Sequence, residues 1–251
     1  MTDKTSIGDR FKRYENASRV KLTPRMPTII RVDGKAFSTF TRGLTKPWDE
    51  TVRACLTAAA TGLMEEIQGA EIAYVQSDEI SVLLNDYKRF DSQPWFDKNV
   101  QKMASVSASI ATACFNQQWA EETRGGILSG RLAMFDSRVF VVPREEVVNY
   151  FYWRQRDATR NSVSGLAQSA ISHTELQNKN VGQMTEMLRK RGIHWDDCET
   201  WQKRGWCVVR KSVTLRRDTE SIRSVVEADL EIPDFAEDRE YIERCLIQIE
   251  E

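Results

Sequence analysis

Apolar residues first gather at residues 28–32 (Thr-Ile-Ile-Arg-Val), a short β-branched run closed by Asp33-Gly34 that predicts a buried strand. From 49 to 67 the pattern changes. Val52, Cys55, Leu56, Ala59, Leu63 and Ile67 recur at three- and four-residue steps, which predicts a helix with one apolar face and Gly69 as its stop. Residues 71–75 and 80–84 are apolar runs flanking Gln76-Ser77-Asp78-Glu79, a hairpin with an acidic tip. A second helix is expected over about 98–119, with Met103, Val106, Ile110, Ala113 and Cys114 facing inward. Residues 131–142 read as strand up to Pro143 and 144–172 as mainly helical. Residues 180–191 read as a short helix ended by Gly192, and 205–215 as a late strand.

This order predicts a single α/β or α+β sheet with helices on one face and a helical extension after residue 144. The boundaries drawn are 1–143 for the core and 144–251 for a helical and strand extension integral to it, since no linker composition divides them. At 251 residues, 41% hydrophobic and 29% charged, the composition is that of a soluble protein with a core. No stretch approaches the roughly 20 apolar residues of a membrane span. Charges at Asp3, Lys4, Asp9, Arg10, Lys12, Arg13 and Glu15 argue against a signal peptide, so a cytoplasmic location is expected. Five scattered cysteines and two histidines fit neither a disulfide framework nor a zinc site. The net charge of −1 excludes a globally basic nucleic-acid binder but not a local patch. Residues 201–217 carry six basic and no acidic side chains, whereas 218–251 carry twelve acidic against three basic. Two solvated faces would account for that contrast equally well.

The candidate chemistry is acidic. Asp33 ends an apolar strand, and Asp78 and Glu79 tip an apolar hairpin. If strand 28–32 lies beside the hairpin, Asp33 and Asp78 meet at one sheet edge, where divalent cations relieve their repulsion. Mg²⁺ suits one or two carboxylates with substrate phosphates. The plain alternative is turn chemistry, which Asp-Gly and Ser-Asp both favour. Residues Gly34-Lys35-Ala36-Phe37-Ser38 offer backbone amides for a triphosphate, with Lys35 or Lys46 adding charge, although this is no Walker loop.

Several segments then appear in order: Arg31-Val32-Asp33-Gly34-Lys35-Ala36-Phe37, Lys46-Pro47, Ala73-Tyr74-Val75-Gln76-Ser77-Asp78-Glu79, Phe135-Asp136-Ser137-Arg138-Val139 and Trp153-Arg154-Gln155. Together, over about residues 8–215, they resemble the tRNA-His guanylyltransferase superfamily, whose members extend RNA in the 3′→5′ direction. The resemblance implies an α+β fold with a polymerase-palm-like, ferredoxin-like antiparallel sheet. It implies that Asp33, Asp78 and the Gly34 carbonyl bind two Mg²⁺ ions, with Glu79 an adjacent essential acid. It also implies that Asp33 to Ser38, Lys46, Ser77 and Asp78 hold the nucleotide. Lys98, Lys102, Arg138, Arg154 and Asn161 become candidates for RNA or second-nucleotide contact, with Arg156, Arg160 and the 201–217 strip as further phosphate contacts.

One departure is informative. The eukaryotic members carry a His-Ile-Asn-Asn-Leu-Tyr-Asn-Thr motif after Trp-Arg-Gln. Here Thr159 stands at the histidine and only Asn161 survives, as in the like-protein branch that repairs 5′-truncated tRNAs on a template. The implied activity is a nucleotidyltransferase that adds nucleotides to the tRNA 5′ end by two-metal phosphoryl transfer, after activation by ATP or GTP. The implied partners are tRNA, GTP and ATP in a homodimer or homotetramer. The alternatives are a dedicated tRNA-His guanylyltransferase, a nucleotidyl cyclase and a non-catalytic RNA-binding module.

Overall fold

The computed structural model describes residues 5–89, 91–216 and 220–247, with side chains described except at 212–216 and 220–223. The chain begins with helix α1 (Ile7–Ala17), whose Ser6 side chain caps it by accepting the Asp9 N–H at 3.1 Å. Strand β1 (Thr28–Gly34), a four-residue turn of helix α2 (Phe37–Phe40) and helix α3 (Glu50–Glu66) follow. The hairpin is β2 (Ala70–Gln76) and β3 (Glu79–Leu84). Then come α4 (Val100–Glu122), β4 (Phe135–Val141), α5 (Val147–Ala170), α6 (His173–Leu176) and α7 (Val181–Arg189). Helix α8 (Thr200–Arg204) leads into β5 (Trp206–Arg216) and β6 (Glu220–Asp229), and α9 (Glu240–Glu243) is followed by a 3-10 turn at Arg244–Leu246.

The six strands form one sheet in the order β4-β1-β3-β2-β5-β6, with every neighbouring pair antiparallel. Alternation along the strands makes two cores. On one face Ile30, Val32, Val75, Ile80, Val82 and Val208 pack against Leu56, Leu63, Met103 and Phe115 from α3 and α4. On the other, Ile29, Ile72, Tyr74, Leu83 and Val209 meet Val147 and Phe151 of α5 and Ile232, Phe235 and Ile242 near the C-terminus. Helices therefore cover both faces, where the pattern predicted one. The cause is visible in β2 and β3: every position but Glu71 is buried, so both sides of these central strands exclude water.

Helix α4 differs in its roll. Met103, Ser107, Ala111, Phe115 and Trp119 are the buried stripe, with Val106 and Ile110 flanking it and Ala113 exposed. The aromatic residues decide this. Phe115 and Trp119 join Phe37, Phe40 and Phe135, with the Phe40 and Trp119 rings 4.8 Å apart. Ser107 is tolerated in the stripe because its hydroxyl shares a 2.7 Å hydrogen bond with Ser137. Helix α1 and strand β6 had no counterpart in the sequence reading. β6 pairs with β5 along ten residues, so the basic strip and the acidic stretch after it are partners, with Lys211 ion-paired to Glu227 at 2.8 Å. The five cysteines are free thiols, and among the described residues no helix is long and apolar enough to cross a membrane.

Candidate active site

Strand register brings the acidic residues together. Asp33 stands opposite Glu79 of β3 and opposite Asp136 of β4, so one cross-strand row carries three carboxylates. Asp78 joins them from the hairpin tip. The Gly34 N–H donates to the Asp78 carbonyl at 3.0 Å, which fixes the end of β1 against the turn. Ser77 takes the left-handed φ of 51° that this tight turn requires, and its hydroxyl donates to Asp78 Oδ1 at 3.1 Å. Burial raises the Asp78 carboxyl above the ordinary carboxylate range, and the negative charge of Asp33 raises it further. A cation nearby is Arg138, 4.0 Å from Asp33 and 3.7 Å from Asp136.

Glu79 is placed differently from the other two. It is 7% exposed, accepts Arg154 Nε at 2.9 Å and lies 3.8 Å from Arg31 Nε. Arg154 also donates to Asp157 at 2.8 Å, and Ser81 links this layer to the Tyr150 hydroxyl at 2.8 Å. The Glu79 charge is thus neutralised inside the protein by α5. Arg154, expected to contact RNA, is 6% exposed and turned inward to that task.

The loop after β1 is partly committed. Lys35 N–H donates to the Met134 carbonyl at 2.8 Å and Gly34 N–H is spent on Asp78, leaving Ala36, Phe37 and Ser38 at the start of α2 from the expected phosphate cradle. Gly34 must be glycine, since a Cβ there would lie 2.4 Å from the Phe37 ring. Phe37 is buried in the aromatic cluster, whereas Ser38 faces a cavity of about 510 Å³. Lys46 lines the same cavity and donates to Thr41 Oγ1 at 3.2 Å. Opposite it stand Ser77, Asp78 and Gln76 from the hairpin, Asn161 and Ser162 from α5, and Trp201, Gln202 and Trp206 around α8. Trp48 and Arg53 complete that wall, with the Arg53 guanidinium 5.4 Å from the centre of the Trp201 ring. Gln76 Oε1 and Trp206 Nε1 are buried without a hydrogen-bond partner, so the wall holds unspent polar capacity.

Other predicted residues are not gathered here. Lys98 is 2% exposed and donates to Met26 O at 2.7 Å and Thr28 Oγ1 at 3.0 Å, with Asp86 at 3.2 Å. Desolvation lowers its pKa, and Asp86 opposes that shift. Thr28 begins β1, so Lys98 and the nearby exposed Lys102 lie at the far end of the strand from Asp33. Arg210 donates internally, to the Ala70 and Met64 carbonyls. Arg160 is exposed and ion-paired with Asp157. Among the described residues no group of three or more His, Cys, Asp or Glu is poised to hold a metal ion. Sequence reasoning missed Trp48, Arg53 and Gln202, which carry no motif, and Asp136, which lay inside a quoted segment but acquires meaning only through register.

A family model described as tRNAHis guanylyltransferase (Thg1) matches residues 8–143, more than half of the chain. The chain belongs to this family. Members of the tRNA(His) guanylyltransferase family are nucleotidyltransferases, which makes this chain an enzyme of that class. A bacterial tRNA(His) guanylyltransferase (Thg1)-like protein, solved in complex with ATP, is 43% identical and superposes with a TM-score of 0.89 over 97% of this chain and 100% of its own. The tRNA(His) guanylyltransferase of Debaryomyces hansenii is 31% identical over 76% of each chain. The Saccharomyces cerevisiae enzyme, at 22% identity and a TM-score of 0.68 over 87% of this chain and 96% of its own, shares the fold.

Proposed function

We propose that the protein repairs tRNA 5′ ends by template-directed nucleotide addition in the 3′→5′ direction, with the sheet serving as a polymerase-type palm. The observation that carries this reading is the meeting of Asp33 with Asp78, tied by the Gly34–Asp78 hydrogen bond, where Asp78 lines a cavity together with Ser38, Lys46 and Ser77. Burial and the neighbouring Asp33 charge disfavour the ionised form of Asp78, and hard carboxylate oxygens suit Mg²⁺. Asp33, Asp78 and the Gly34 carbonyl would hold two such ions. When bound, Mg²⁺ would lower the pKa of the attacking hydroxyl and offset the charge of the triphosphate.

The chain's own residues supply position. Trp48 offers aromatic surface for a nucleobase, whereas Trp201 and Trp206 line the same wall but are themselves buried. Lys46 and the start of α2 face the phosphates. A 5′-monophosphorylated RNA is first adenylylated or guanylylated, with pyrophosphate leaving. The 3′-hydroxyl of an incoming nucleoside triphosphate then attacks the activated 5′ phosphorus, forming the new phosphodiester as the mononucleotide departs. Holding these groups in line supplies much of the rate.

Thr159 favours repair over a single dedicated guanosine addition. It stands where the eukaryotic members have histidine, and its hydroxyl donates to the Gln155 carbonyl at 3.1 Å within α5. Truncated tRNA-His and truncated tRNAs of other specificity should be extended comparably, and strict preference for tRNA-His would establish the dedicated enzyme instead. Asp33→Ala and Asp78→Ala should each abolish addition to 5′-labelled RNA with Mg²⁺ while leaving the circular dichroism spectrum unchanged. Turnover retained by either variant refutes the assignment.

A further inference from the structure

Helix α1 contributes nothing to the protein's own core. None of its residues is buried, and Phe11 and Tyr14 stand 61% and 73% exposed with ring centres 6.1 Å apart. Arg10, Lys12 and Arg13 share the helix with them, against Asp9 and Glu15, and Arg19 and Lys21 follow. The segment after α1 is anchored at the start of α4. Lys21 forms a β-bridge with Asn99, the Leu22 N–H donates to the Lys98 carbonyl at 3.0 Å, and the Val100 N–H donates to the Val20 carbonyl at 3.0 Å.

The residues beneath that anchor are strained. Phe96, Asp97 and Lys98 all take φ near +50°, which costs roughly 1–2 kcal/mol per residue for L-amino acids. The run leaves Phe96 38% exposed, with Lys102 Nζ 5.8 Å from its ring centre. Exposed rings and cations therefore recur across α1 and this turn. The place is remote from the carboxylates: Lys98 bonds Thr28, five strand positions or about 17 Å from Asp33.

We propose that α1, Phe96 and Lys102 form a second RNA-docking surface, taking unpaired bases and their phosphates at a distance from the 5′ end. The proposal rests on the preceding reading only in taking RNA as the substrate. Exposed rings stack on bases that are free of a duplex, and flanking cations meet the phosphates. The charge selects RNA over a second copy of α1. Within 7–21 five basic residues stand against two acidic ones, and with Lys21 ion-paired to Asp97 the other four still outnumber them, a balance that would repel its own duplicate but suit a polyanion.

The test uses the full-length protein with a tRNA transcript and with a two-strand acceptor-stem duplex of the same 5′ end, both read by fluorescence anisotropy across a salt series. Phe11→Ala/Tyr14→Ala should weaken tRNA binding by about tenfold or more, given stacking contributions of about 1–3 kcal/mol per base. Arg10→Ala/Arg13→Ala should lower the log–log salt slope for tRNA by about two. Binding of the duplex should stay within about twofold of wild type for both pairs, since it offers no unpaired loop to the surface. Equal weakening of both RNAs, or tRNA binding untouched by either pair, overturns the proposal. A changed subunit number in sedimentation with RNA binding intact overturns it in favour of a contact between copies. Nucleotide addition by wild type is measured alongside: its absence on every RNA fails the preceding reading, while the binding comparison still judges this one.

Discussion

At the scale of single residues, the site is a contest over negative charge. Asp78 is raised by burial and by Asp33, so ionising it costs more in the folded chain than in the unfolded one. That penalty is absent below the unfolded value of about 3.9, where both states are neutral, and is fully present once pH exceeds the raised folded value. Without metal, Asp78→Asn should therefore melt at a higher temperature than wild type at pH 7, with the gap closing as pH falls toward about 4. Calorimetry in chelator checks this, and a gap that does not change with pH would contradict it. Glu79 presents the opposite case. Its charge is already matched by Arg154, so Arg154→Ala strands a buried carboxylate and should cost about 3–5 kcal/mol in denaturant unfolding. The sequence showed that all three acids were unusual, because each interrupts an apolar run. It also led to the expectation that Asp33 and Asp78 meet at one sheet edge, but it could not show that Glu79 turns to a helix 75 residues away. That distinction is made by α5, which no local spacing reveals.

At the scale of elements, legibility followed periodicity. The hairpin, α3 and β1 were readable because their apolar steps match one regular structure along their whole length. Helix α4 was read with the wrong roll, because the rule of apolar positions does not see that Phe115 and Trp119 outweigh Val106 and Ile110 in packing. Strand β6 was missed since it is polar and acidic and owes its form to pairing with β5. The junction of α8 and β5 deserves its own test. Gly205 sits there at φ +80°, and a Cβ would lie 2.3 Å from the Val75 carbonyl oxygen. Gly205→Ala meets both the left-handed penalty and a backbone clash, so it should destabilise by at least about 2 kcal/mol. It should also weaken nucleotide binding, because Trp201 and Trp206 flank that residue. Normal stability in the variant would show that the two strands are not so closely apposed.

At the scale of the whole molecule, the cavity draws on parts far apart in the chain: residues 37–56 before and within α3, the hairpin tip, α5, and the segment from 201 to 206. Occupancy should therefore stabilise the protein as a unit. ATP at about a hundred times its Kd should add about 2.7 kcal/mol, or a rise of roughly 5–11 °C in Tm for a chain of this size. Quenching of tryptophan fluorescence should track the same binding curve, since three tryptophans line the wall. An unchanged melting curve would count against the cavity as the nucleotide site.

The hydrogen bond from Gly34 to the Asp78 carbonyl has a consequence for how such a protein can change over generations. The gap between its two aspartates is measured off by ladder rungs, so a codon gained or lost inside β1 or β3 turns one acid to the opposite side of the pleat. Lengthening the exposed turn at 124–130 leaves that ruler untouched. Insertions among descendants should accumulate in that turn, while the rungs between Thr28 and Leu84 keep their count.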